Sequence, residues 1–415
     1  SAVLVAAFMV INGEAGSKYG IPFAMHLRST YGNLGAKLPG FLRGCVAAIA
    51  WFGLQTYTGS LALTIILGKI FPGFLEIGDG AQILGIGIPQ LISFTIFWVL
   101  NVAIGLGGGG ILNKFTAVLS PLIYVVVIGM TVWAISAAGG LGNILAFSPQ
   151  AAEDFNPVFV FLMILNSVIA VWAAPGASVS DFTQNATSTA TQRRGQTLSL
   201  LVAYVVFAFC SVVILIGASL ATGTQHWDIT TVIDSWDSVP LVVCATGVFL
   251  LTTISTNATG NIIPAGYQLA ALFPKKLTYR SGVVIASVIS FAIMPWKLME
   301  NSSSIYLFLN TIGAVLGPVA GVMIAHYYFV ANRQIDLDAL YMDMNDQDKS
   351  NPYQGVNVPA YIATIAALVI SLSGQFIPAL SFISGVSWFA GSISAFVIYL
   401  AIRKFSSSQA NVEAK

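Results

Sequence analysis

The sequence predicts an all-α integral membrane protein, and three observations carry that prediction. Of its 415 residues, 56% are hydrophobic and only 8% charged, whereas a soluble domain needs about a quarter charged residues to hydrate its surface. Apolar runs on the order of 20 residues recur along the chain, as a hydrocarbon core about 30 Å thick requires. Cationic and anionic connecting segments alternate from one crossing to the next. The mean hydropathy of +0.83 excludes disorder along with solubility. Helices are the expected spans, because the runs lack the alternation of about ten residues that marks a membrane barrel strand.

The first apolar run, Ser1 to about Ile11, is too short to span and lacks the basic start of a signal peptide. It reads as the second half of a helix whose beginning, with whatever precedes it, is missing. Ten further spans are expected, at Leu38–Leu67, Ile83–Leu106, Phe115–Ala137, Val158–Ala177 and Thr197–Ala221, then Val239–Leu272, Ser281–Trp296, Ile305–Ala331, Val358–Leu372 and Ile377–Ile402. The last of these has room for two pieces. All belong to one transmembrane domain covering residues 1–415.

The segments expected on one side carry Lys18, Arg28, Lys37, Arg43, Lys114, Arg193 and Arg194, then Lys275, Lys276, Arg280, Arg333, Lys349, Arg403 and Lys404. The opposite segments carry Glu76, Asp79, Glu153, Asp154, Asp228, Asp234, Asp237 and Glu300, against only Lys69 and Lys297. Lysine and arginine mark the cytoplasmic side, so a cell-membrane protein with a cytoplasmic C-terminus is expected. Residues 332–357 then form a cytoplasmic loop, acidic through Asp336, Asp338, Asp343, Asp346 and Asp348, and 405–415 a cytoplasmic tail. A net charge of +1 without a basic tract gives no reason to expect nucleic acid. Cys45, Cys210 and Cys244 sit in apolar helices as small hydrophobes, without the spacing of a metal or disulfide framework.

Ionisable side chains inside the spans are few: Asp181 follows an interrupted helix and His326 lies late in another. Binding is therefore expected from neutral polar groups and aromatic rings. Trp51 and Gln55 lie four residues apart on one helix face, an indole surface beside an amide, although helix packing explains the pair equally well. Val171 and Trp172 precede a Pro175–Gly176 step, which loosens a helix and exposes backbone groups, as a simple kink also would. Thr252–Asn261 puts seven hydroxyl or amide side chains into ten residues. Asn257 and Asn261 share a face there, while Ser255 and Thr256 offer hard oxygens. Interhelical hydrogen bonding is the plainer explanation, yet the density exceeds what packing needs. The glycine run Gly107–Gly110 has no lysine–serine pair after it and no strand before it, so it is no phosphate loop.

With those stretches in view, the chain resembles the nucleobase-cation-symport family. The matching stretches are Gly16–Phe23 (GSKYGIPF), Trp51–Gln55 with Thr56 and Gly59, and Ser255–Asn261. Met294–Lys297 (MPWK), Gly313–Gly321 (GAVLGPVAG) and Asp336–Tyr341 (DLDALY) complete the set. Details of Gly16–Tyr31 and Trp296–Glu300 look most like the bacterial allantoin permease branch, with the hydantoin permease branch second. The resemblance implies a LeuT-type fold, a five-plus-five inverted repeat with two extra helices, of which this chain would lack the first helix and part of the second. It implies a secondary transporter, not an enzyme, carrying allantoin, hydantoin, uracil or a related ring with Na⁺ or H⁺, without any further cofactor and as a monomer in membrane lipid. It makes Trp51 a stacking platform, puts Trp172 on the other side of the ring and assigns Gln55 and Asn261 as hydrogen-bond partners, with Val171 and Asn257 in the same site. It makes the Thr252 carbonyl and the Ser255 and Thr256 hydroxyls Na⁺ ligands. His326 departs from the pattern, standing where the family suggests aspartate. An amino-acid carrier of the same fold and a non-transporting membrane receptor are the competing readings.

Overall fold

The structure is a computed structural model that describes every residue except 108, 149–155, 343–350 and 414–415, and leaves aside the side chains of 109–118, 120, 302 and 406–413. Gly108, Glu153, Asp154, Asp343, Asp346, Asp348 and Lys349, all named above, lie outside the described residues, as does the Lys114 side chain. The principal helices are α1 (Ala2–Tyr19), α2 (Phe23–Tyr31), α3 (Lys37–Ile70), α4 (Ile88–Gly107) and α5 (Gly109–Ala137). There follow α6 (Pro157–Val171), α7 (Ala173–Ala177), α8 (Thr189–Thr222), α9 (Val239–Leu272) and α10 (Tyr279–Ala292). The chain closes with α11 (Ser302–Ala325), α12 (Val358–Phe376) and α13 (Ser387–Glu413). Among the described residues seven helices are long and apolar enough to cross a membrane, and three shorter apolar helices accompany them. These ten correspond to the ten spans expected from the sequence.

Several boundaries differ from expectation, each for a local reason. α1 runs on past Ile11 to Tyr19, because its polar residues are buried and partnered: Asn12 donates to the Gly176 and Ala177 carbonyls, and Glu14 pairs with Arg193 and Arg333. Ile83 is not helical. It pairs with Ile86 in a small antiparallel hairpin, β1 (Gln82–Ile83) with β2 (Ile86–Gly87), turned through positive φ at Leu84 and Gly85. The Val158–Ala177 span breaks at Trp172, one turn before Pro175. Proline has no N–H for the Val171 carbonyl four residues back, and its ring crowds that carbonyl, so the helix ends at Val171. The last span resolves into a short turn at Ser381–Ser384 and the long α13, whose backbone stays helical to Glu413. Cys244 is exposed rather than buried.

By contact density the chain forms two units, Ser1–Ala47 with Asp154–Val202 and Asn301–Lys415, and Ala48–Glu153 with Ala203–Glu300. In the first unit, Phe23, Leu27 and Tyr31 of α2 pack with Val319, Val322 and Met323 of α11, and with Ala360, Ala363 and Ala367 of α12. Small residues let helices touch backbone to backbone, which replaces the hydrophobic drive that lipid removes. A Cβ at Gly321 would stand 2.1 Å from the Ser392 carbonyl oxygen, so glycine there is required for the α11–α13 approach. In the second unit, Val127 and Met130 of α5, Ile214 and Ala218 of α8, and Val242 of α9 share a core. Gly59 of α3 lies against the Phe97 ring of α4, where a Cβ would come within 2.2 Å.

Charge in the first unit is more deeply buried than the sequence suggests. Glu14, His26, Arg28 and Arg43 are all buried. Arg43 lies in a π-helical turn of α3, Leu42–Ala47, and its Nε donates to the Ala174 carbonyl at 2.6 Å and the Ser178 hydroxyl at 3.0 Å. Together with Asn12 it donates to the Ala174, Gly176 and Ala177 carbonyls after the break. Asp181 accepts from the Phe23 N–H at 2.9 Å; burial raises its pKa, which that bond and Arg43 oppose.

His26, in the short α2 outside the spans, touches Ser180 Oγ through Nδ1 at 3.0 Å. Burial, with the nearby His326 second, pushes its imidazole down to about 3. A histidine neutral when folded and protonated when unfolded costs stability as pH falls from about 6.5 towards 3. Replacing His26 by Gln is therefore expected to flatten the decline of the thermal midpoint over that window; an identical decline in wild type and variant would contradict it. Gly59→Ala is expected to cost about 1–3 kcal/mol through overpacking, seen as a lowered thermal midpoint. Gly247→Ala, with open space around its Cβ position, should cost nothing.

Candidate functional site

A carboxamide relay in the second unit brings together three of the residues singled out from the sequence, Gln55, Asn257 and Asn261. It starts from two backbone carbonyls. Asn101 of α4 donates through Nδ2 to the Phe97 carbonyl at 2.8 Å, which leaves its Oδ1 to accept. Asn257 of α9 donates to that Oδ1 at 3.2 Å, to Thr56 Oγ1 at 3.0 Å and to the Phe52 carbonyl at 3.3 Å. A carbonyl can only accept, so the Asn257 amide nitrogen must face α3 and α4 and its oxygen must face away. Asn261, one turn on, donates to that oxygen at 2.9 Å and to Gln55 Oε1 at 2.7 Å.

The chemical outcome is specific. Both protons of the Asn261 amide are used, and the Gln55 oxygen is used. The groups left at the end of the relay are Asn261 Oδ1, an acceptor, and Gln55 Nε2, a donor. Gln55 is half-buried and Asn261 buried, whereas Asn257 and Asn101 are fully enclosed. Asn257, expected to meet a ligand, instead spends its amide on three partners and orients Asn261. Between Asn257 and α9's last stretch the helix opens into a π turn at Ala258–Ile262, which widens the spacing just where Asn261 must reach α3.

The α3 face that carries Gln55 also carries Trp51. Phe52, Gly53, Leu54 and Thr56 are buried, while Trp51 and Gln55 are half-exposed, so the indole and the amide share the accessible stripe as i and i+4. On α9 the Thr256 hydroxyl donates to the Thr252 carbonyl at 2.9 Å, with Thr256 exposed and Ser255 buried. This is the back-bond that a helical threonine makes to the carbonyl one turn before it. No group of three His, Cys, Asp or Glu residues suited to a metal occurs among the described residues. Val171 and Trp172 belong to the first unit, at the helix break: Val171 is exposed, Trp172 half-exposed, and the Trp172 carbonyl accepts from the Gly176 N–H at 2.7 Å.

Sequence reading missed Asn101. Its signal was an amide in the apolar second half of its helix, the kind of polar residue that membrane helices retain to bond a neighbour. It also missed a matching amide junction in the first unit, where Asn166 donates to Asn310 Oδ1 at 3.0 Å and accepts from the Trp388 N–H at 2.9 Å.

This helical architecture is that of a multi-pass membrane transporter. Two solved structures share it: Mhp1 in an inward-facing conformation, with TM-score 0.71 and 23% identity over 97% of this chain and 83% of that one, and Mhp1 closed with bromovinylhydantoin bound, with TM-score 0.73 and 22% identity over 98% and 84%. At that identity the likeness establishes the fold, the LeuT type that the resemblance implied. A family model described as a permease for cytosine/purines, uracil, thiamine, allantoin matches residues 1–392. The chain belongs to that family of nucleobase-cation-symport permeases, and so is a transporter and not an enzyme. It is 54% identical to the "Putative allantoin permease" of Escherichia coli (strain K12), over 100% of this chain and 85% of that protein. It is 35% identical to the allantoin permease of Bacillus subtilis (strain 168), over 95% and 80%, and 26% identical to the hydantoin permease of Microbacterium maritypicum, over 90% and 72%.

Asn101→Leu strands one donor contact of the enclosed Asn257 amide. The expected cost is about 1–3 kcal/mol, read as a lower thermal midpoint in detergent; an unchanged midpoint would remove Asn101 from the relay.

Proposed function

We propose that this permease imports a neutral cyclic ureide or nucleobase-like ring, allantoin foremost, with hydantoin and uracil as further candidates. The observation that carries the reading is the oriented edge of Gln55 Nε2 and Asn261 Oδ1. A ring amide presents a carbonyl and an N–H side by side, and this edge offers the complementary donor and acceptor. Removing water from such a ring costs about 1–3 kcal/mol for each polar group left without a partner, so paired amides select for it. Trp51, on the same stripe as Gln55, supplies the flat surface. The 54% identity to the Escherichia coli protein supports allantoin over the other rings.

The reading extends to coupling. The Thr252 carbonyl with the Ser255 and Thr256 hydroxyls would receive Na⁺, which is transported with the ring rather than held as a cofactor; H⁺ is the other candidate ion. Transport would proceed by alternating access, each ligand stabilising the conformation it binds better. The charge alternation of the connecting segments supports a cell-membrane protein with its C-terminus in the cytoplasm.

Uptake of labelled allantoin, hydantoin and uracil, measured with and without a Na⁺ gradient, tests these points. Allantoin uptake that rises with the gradient is expected. Trp51→Ala should abolish uptake in a protein that still folds, and Gln55→Leu should lower apparent affinity about 10-fold or more, the worth of one lost bond to a buried polar group. Normal uptake by Trp51→Ala would overturn the site. Stabilisation by amino acids alone, or ring binding without flux in sealed vesicles, would overturn the function.

A further inference from the structure

We propose that the second unit binds a phospholipid with an ammonium headgroup, phosphatidylethanolamine, in a cavity of about 500 Å³ between α5 and α9. The amide edge of Gln55 and Asn261 takes no part in it. The apolar wall includes Val125, Gly129 and Met130 of α5 and Leu241 of α9. Two indoles of the lining, Trp133 and Trp236, stand edge to face with ring centres 5.2 Å apart. The polar side chains of Ser235, Asp237 and Ser238 all come from the short segment before α9. An apolar trough with its polarity gathered at one end matches an amphiphile.

Depth and shape favour a lipid. Val125 and Leu241 are exposed, and exposed apolar side chains on a membrane helix meet acyl chains. Gly129 leaves a gap in the surface of α5, because nothing lies within 4 Å of a Cβ built there. Trp133 stands one turn before the end of α5, and Trp236 shortly before α9 begins. Both therefore sit near helix ends, the interfacial level at which tryptophan collects and lipid headgroups begin. The Trp236 indole nitrogen is enclosed and has no acceptor among the described residues, a state that costs about 1–3 kcal/mol. A lipid ester carbonyl supplies that acceptor while the acyl chain lies against the ring, the two-sided use that suits tryptophan to interfaces. Asp237 sets the headgroup. Lys69 pairs with the nearby Asp234 at 3.6 Å, but among the described residues no lysine or arginine pairs with Asp237. Its carboxylate accepts from an ammonium through charge-assisted hydrogen bonds. Phosphatidylethanolamine offers those donors; phosphatidylcholine has the positive charge without them, and phosphatidylglycerol brings only a repelled phosphate.

The test counts the lipid that the purified full chain retains in detergent, by native mass spectrometry. Phosphatidylethanolamine, phosphatidylcholine and phosphatidylglycerol of identical acyl chains are titrated in turn. Saturable retention of one phosphatidylethanolamine, about 10-fold tighter than either of the others, is expected. Trp236→Phe keeps a ring and removes the donor, and Asp237→Asn removes the charge. Each should weaken that retention about 10-fold, the worth of one lost bond. Gly129→Leu fills the gap with a better helix former, so it should abolish the retention without lowering the thermal midpoint in lipid-free detergent. Equal retention of the three lipids, no saturable retention of any, or wild-type retention by Gly129→Leu would overturn the proposal.

Discussion

The constraint on which the second unit depends is that a carboxamide buried in a membrane protein has nowhere to turn except to another protein group. Water is not at hand, and an unmatched donor or acceptor costs on the order of 1–3 kcal/mol. Asn101, Asn257 and Asn261 meet that constraint by passing a donor–acceptor orientation from two backbone carbonyls, Phe97 and Phe52, to Gln55. Three helices are thereby joined, α3, α4 and α9. The polarity presented at the end of the relay is set by the backbone at its beginning. At the proposed site the same bonds would serve stability and recognition at once, so a single substitution along the relay would be felt in both.

The first unit handles buried polarity differently, with full charges. At its broken helix, Arg43 donates to the Ala174 carbonyl and Asn12 to those of Gly176 and Ala177. Glu14 gathers Arg193 and Arg333, each from a different part of the chain. A buried ion pair is weak evidence for stability, since desolvation offsets attraction. What such pairs secure is which segments meet. Here they tie α1, the start of α8 and the turn after α11 together.

Much of this was legible in the sequence because membrane helices advertise themselves through length and apolarity. The ten spans and the Thr252–Asn261 polar face followed from composition and from the i, i+4 spacing of Asn257 and Asn261. Trp51 and Gln55 share a stripe for the same reason. What could not be read depends on long-range partners. Glu14 and Arg43 look like loop charges until Arg193, Arg333 and the Ala174 carbonyl are found beside them. Asn101 is a single amide in an apolar run, and its meaning comes from a residue 156 positions away. The break at Trp172 falls a turn before the proline that causes it, because the clash is with the preceding carbonyl. The Gln82–Gly87 hairpin hides in an apolar stretch, revealed only by the positive φ at Leu84 and Gly85.

A locked amide pair has one more consequence. Because neither Gln55 nor Asn261 can swivel without breaking the bond between them, the proposed edge would distinguish tautomers as well as shapes. A guest in its lactam form would meet it in register, whereas a lactim would place a hydroxyl against the wrong atom. Heterocycles with labile protons would then be sorted by the isomer they prefer in water, before size or ring substituents enter the comparison.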